Sequence, residues 1–119
     1  MLALVSQANE RRQLLLDALS VMRRIGVDWG IGRALLHLAS LEPADRSRRL
    51  FEEAGRTFER IGHDEGIGSV CRGAGDLALG EGKLDEAERL YQRAMDLWMA
   101  TEYWTFVPAL ALSMAARMA

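Results

Sequence analysis

The chain has 119 residues and 13.3 kDa, room for one domain or a few repeats, and with half its residues hydrophobic it is too apolar for a disordered segment. A formal net charge of −2 excludes a strong electrostatic pull toward nucleic acid or anionic lipid. The one cysteine, Cys71, forms no internal disulfide and fits a reducing compartment.

Ala, Leu, Arg and Glu abound while proline occurs only at positions 43 and 108, so helix is the expectation throughout. Apolar spacing of three and four places helices near 9–25, 28–41, 44–61, 65–80, 84–100 and 104–118. Gly26 and Gly62 stand where helices end, and Asp28 and Asp64 stand where the next N-caps belong. Asp85 and Glu86 put acid at the start of the fifth helix, near its positive end. The linkers span only a few residues, which forces consecutive helices to run antiparallel.

The order of elements repeats. Arg24-Ile25-Gly26-Val27-Asp28-Trp29-Gly30-Ile31-Gly32 and Arg60-Ile61-Gly62-His63-Asp64-Glu65-Gly66-Ile67-Gly68 are identical at seven of nine positions. They lie 36 residues apart, and Leu14, Ala18 and Met22 stand at the same offset from Leu50, Ala54 and Phe58. A third copy, offset by 40, carries Leu90, Tyr91, Ala94 and Trp98. A period of this size with helical spacing inside it means stacked helical hairpins.

Residues 68–101 resemble a tetratricopeptide repeat. Gly75 matches the family's small residue in the first helix, Gly82 the turn, Ala87 and Ala94 the small residues of the second helix, and Tyr91 its aromatic. Cys71 and Ala74 depart from the usual large aromatic and leucine. The earlier hairpin keeps Leu35, Leu38 and Ala39, but its turn is four residues shorter and Ser47 stands in place of Ala87. The Ile-Gly-x-Asp-x-Gly-Ile-Gly link is similar to helical arrays of LuxR-type and related ATPase-linked bacterial regulators. A bacterial origin also fits the single lysine, Lys83, among fifteen basic residues.

The resemblance implies an all-α, short right-handed solenoid of about six helices. It would comprise a half hairpin at 1–27, hairpins at 28–61 and 64–101, and a half hairpin at 103–119. Residues 2–9 align with 38–45 at the offset of 36, so the chain is expected to begin inside the last turn of a first-type helix. At the other end the apolar helix from Trp104 has no second helix to cover it. Either the chain is a piece of a longer array, or that face is buried against a copy of itself or a partner.

Motifs with chemistry are weak. The Gly-Ile-Gly phrases lack a preceding strand and a following Gly-Lys-Ser/Thr, so no phosphate loop is expected. His37 and His63 lie in different hairpins without ligand-spaced partners, so neither a metal nor a cofactor is expected. His63 is expected to be exposed and Cys71 a buried thiol. Adjacent acids such as Glu52-Glu53 point about 100° apart on a helix and form no dyad. The clusters Arg11-Arg12, Arg23-Arg24 and Arg46, Arg48, Arg49 are interleaved with acids, as on a solvated surface. Phe51, Phe58, Tyr91 and Trp98 fall at core spacing.

The resemblance therefore points to a non-catalytic scaffold that binds a protein or peptide in a concave groove, and with no signal peptide visible at residues 1–5 the expected location is cytoplasmic. Its register assigns to that groove Arg33, Leu36 and Ser40 of the second helix, Ser69, Arg72, Asp76 and Leu79 of the fourth, and Leu112 of the sixth. Arg33 and Arg72 would select acidic groups through charge-assisted bonds. Trp104, Val107, Leu110, Met114 and Met118 form a candidate self-association face for a homodimer. The alternatives are a self-associating structural module and an effector-sensing part of a larger regulator. No nucleic-acid or membrane partner is expected, and no apolar run approaches the ~20 residues that span a bilayer.

Overall fold

The structure, a computed structural model, describes residues 2–101 and 107–118, with side chains 2–5, 107, 109, 113 and 116–118 excepted. It is all-α. Six helices follow in order: α1 (Leu2–Ile25), α2 (Asp28–Ala39), α3 (Ala44–Arg60), α4 (Asp64–Gly80), α5 (Leu84–Met99) and α6 (Val107–Met118). The chain divides into two compact units, one up to Ile61 and one from Gly62.

Helix ends follow from the glycines. Gly82 adopts φ +78°, a left-handed conformation that costs a side-chain-bearing residue ~1–2 kcal/mol. With it in place, Gly82 N–H donates to the Leu79 carbonyl at 3.0 Å and Lys83 N–H to the Ala78 carbonyl at 2.9 Å. These bonds satisfy carbonyls that the end of α4 would leave open.

Two expectations about helix starts are corrected. Asp28 and Asp64 are the first helical residues, and the N-caps are Val27 and His63. The Asp28 carboxylate instead receives Arg60 Nη2 at 3.1 Å. His63 is not a free linker side chain: its Nδ1 accepts the Gly66 N–H at 2.9 Å, and its side chain is 24% exposed. The cap role falls to His63 because it occupies the one non-helical position between Gly62 and the helix.

The N-terminal register is also corrected. Residues 2–9 are not the end of a first-type helix followed by a turn; they are continuous with α1. The breaker in the aligned segment is Pro43, and its counterpart is Gln7, which continues a helix without loss. The expected start of the last helix at Trp104 lies outside the described residues.

In the first unit α2 packs between the partners it meets in sequence, α1 and α3. Leu19, Leu35, Leu38, Phe51, Ala54 and Phe58 are buried there. In the second unit α4 packs on α5, with α6 beside α5. Its core holds Val70, Cys71, Ala87, Tyr91, Ala94, Trp98 and Leu110. Small residues let the helices approach: a Cβ on Gly75 would lie 2.8 Å from Tyr91 Cε1, and one on Gly32 2.7 Å from the Phe58 ring. Each large side chain so buried contributes roughly 1.5–3 kcal/mol.

Candidate functional site

On α4, Ser69, Arg72, Asp76 and Leu79 recur at spacings of three, four and three, which places them along one stripe of the helix. All four are half-buried, because the stripe flanks the seam where Gly68 and Gly75 meet Trp98 and Tyr91. The structure therefore brings these four expected groove residues together on one surface. Two of the four also serve the fold. Ser69 Oγ donates to Glu65 Oε1 at 3.1 Å, and Asp76 Oδ1 accepts the hydroxyl of buried Tyr91 at 2.5 Å. Asp76 is thus a fixed acceptor, held by the second helix of its own hairpin.

On α2, Arg33 and Leu36 are half-buried and Ser40, just past the helix, is exposed. The Ser40 hydroxyl donates to the His37 carbonyl at 2.7 Å and so helps close the helix end. Leu112 on α6 is 72% exposed.

The candidate self-association face changes. Leu110 is fully buried and Met114 half-buried, so Leu110 packs within the unit and offers a partner no surface. Spacing is the reason: residues 110 and 114 share one side of a helix, and an apolar stripe is the side a helix buries. The Val107 and Met118 side chains and all of Trp104 lie outside the described residues. The exposed side of α6 carries Ala111, Leu112 and Ala115.

Two features went unnoticed in the sequence. One is a run of exposed apolar side chains on α1: Leu14 (69%), Val21 (42%) and Ile25 (70%), with exposed Ala18 among them. The signal was present, since these residues align with Leu50, Ala54, Thr57 and Ile61. The other is an open apolar cleft of about 260 Å³ between Leu16, Leu38 and Leu50, edged by Glu42, Arg46 and Arg49. Its edge is tied down: Arg12 Nε pairs with Glu42 Oε1 at 2.9 Å, Arg46 Nη1 with Glu42 Oε2 at 3.6 Å, and Arg12 Nη2 donates to the Leu41 carbonyl at 3.1 Å.

Arg23 pairs with Glu53 at 2.7 Å and Arg48 with Asp45 at 3.7 Å, all on the partly or fully exposed surface. Cys71 is 3% exposed. Among the described residues, no group of three or more His, Cys, Asp or Glu is placed to hold a metal ion, and no helix is long and apolar enough to cross a membrane.

No family model, curated protein or solved structure matches the chain.

Proposed function

We propose that this protein is a non-catalytic binding module of the tetratricopeptide kind that receives an acidic peptide or partner helix along the α4 stripe. The observation that carries the proposal is the stripe itself. Ser69, Arg72, Asp76 and Leu79 are partly exposed along one line, and they mix a cation, an apolar residue and fixed hydrogen-bonding groups. That combination suits an extended or helical ligand: Leu79 contributes apolar contact and Arg72 a charge-assisted bond to a carboxylate. Asp76 disfavours a second acid beside it, which gives the stripe a register. Arg33, Leu36 and Ser40 supply a similar, smaller stripe on α2. A cytoplasmic location and a bacterial origin belong to the same proposal.

A panel of labelled helical peptides, acidic and basic, tests this by fluorescence anisotropy. Acidic peptides are expected to bind, and Arg72→Glu to weaken them about tenfold, the equivalent of roughly 1.4 kcal/mol, with unchanged helical circular dichroism. Unchanged affinity of the Arg72→Glu variant for acidic peptides would remove α4 as the site.

A further inference from the structure

The apolar cleft of about 260 Å³ between Leu16, Leu38 and Leu50 is built by all three helices of the first unit. Leu38 is buried and Leu50 half-buried, so they form its floor, while Leu16 of α1 stands 44% exposed at its side. This is not the side of α1 that bears Leu14. Two residues along a helix turn a side chain by about 200°, so Leu16 points away from Leu14 and toward α2 and α3.

The internal repeat sets Leu16 apart. At offsets of 36 and then 40 its counterparts are Glu52 of α3 and Gln92 of α5, both exposed. The later copies keep this solvated position polar, and α1 fills it with an aliphatic side chain. A leucine there adds apolar surface to the cleft that the repeat pattern does not ask for.

Charge at the rim is one-sided. Glu42 has both oxygens engaged, Oε1 by Arg12 Nε at 2.9 Å and Oε2 by Arg46 Nη1 at 3.6 Å. Asp45, next to Arg46 in the chain, is taken by Arg48 at 3.7 Å. Arg49 makes no hydrogen bond or ion pair among the described residues, and the Arg46 side chain is 74% exposed. At this rim, among the described residues, Arg12, Arg46 and Arg49 outnumber Glu42, and two of the three line the mouth of the cleft.

We propose that this cleft binds a small aliphatic carboxylate, its chain against Leu16, Leu38 and Leu50 and its head between Arg46 and Arg49. Guanidinium groups take a carboxylate through charge-assisted hydrogen bonds, and the leucines supply the apolar share. Size selects the class of ligand. Pockets for drug-sized molecules run from roughly 300 to 1,000 Å³, so a cleft of about 260 Å³ suits one short chain and not a partner helix. The site belongs to the first unit and is independent of the peptide binding proposed for α4.

Sodium octanoate below its micellar concentration is the probe, read by amide and methyl NMR shifts on the full chain without any peptide. Saturable shifts are expected at Leu16, Leu38, Leu50, Arg46 and Arg49, with the α4 stripe unmoved. Octanol, which has the chain without the charge, and octylamine, which has the opposite charge, should each bind about tenfold more weakly. From hexanoate to octanoate affinity should rise about threefold per methylene. Arg49→Gln should bring octanoate down to the level of octanol and leave octanol as it was, whereas Leu16→Gln should weaken both. The head-group series on wild type decides the matter if either variant loses its helical circular dichroism. Equal binding of octanoate, octanol and octylamine would overturn the proposal, as would shifts that never saturate or that centre on another surface. No octanoate binding, with the same amides shifted by an acidic leucine-bearing peptide, would give the cleft to a protein partner and overturn it too.

Discussion

Gly75 and Gly68 matter because of what stands opposite them. A Cβ on Gly75 would lie 2.8 Å from Tyr91 Cε1, closer than real side chains come, and Tyr91 is fully buried with no room to retreat. Gly75→Ala is therefore expected to destabilise by about 1–3 kcal/mol, the usual magnitude for overpacking. Gly80 supplies the contrast: it lies in the same helix, and a Cβ there meets nothing within 4 Å. Gly80→Ala should stabilise by roughly 0.5 kcal/mol through a less flexible unfolded chain. Thermal melts of the two variants should move in opposite directions. A third residue-scale prediction concerns Tyr91→Phe, which leaves Asp76 without the hydroxyl it accepts at 2.5 Å. The loss should be about 1 kcal/mol of stability, seen as an earlier urea midpoint with unchanged slope.

At the scale of elements, α1 is held by more than apolar packing. Arg12 reaches the α2–α3 turn through Glu42 and the Leu41 carbonyl, and Arg23 reaches Glu53 of α3. Arg12→Ala should release the turn and α1 together, raising amide exchange in both while the α4–α5 hairpin exchanges as before. Unchanged exchange in α1 would show that Leu15, Leu19 and Met22 hold it unaided. The helices α2, α3, α4 and α5 begin and end within a few residues of where apolar spacing and the glycines put them, and α1 ends there, because local signals decide those boundaries. The early start of α1 was not legible by alignment: the repeat copies the apolar positions but replaces Pro43 with Gln7, and one missing breaker is enough to extend a helix. The caps escaped notice for a related reason. Asp is the commoner cap, yet the turn geometry left His63 and Val27 in the capping positions. The α4 stripe was legible because four residues on one helix depend only on helical periodicity. The fate of Leu110 was not, since an apolar stripe looks the same in sequence whether its neighbour is in the same chain or another.

For the whole molecule, the account places partner binding on the α4 stripe of Ser69, Arg72, Asp76 and Leu79, which are partly exposed along one line. Titration of the full chain with an acidic helical peptide at low and at high salt tests this central claim most directly. The account predicts saturable binding that weakens as salt screens the Arg72 charge. Binding that ignores salt, or that a basic peptide matches, would contradict it.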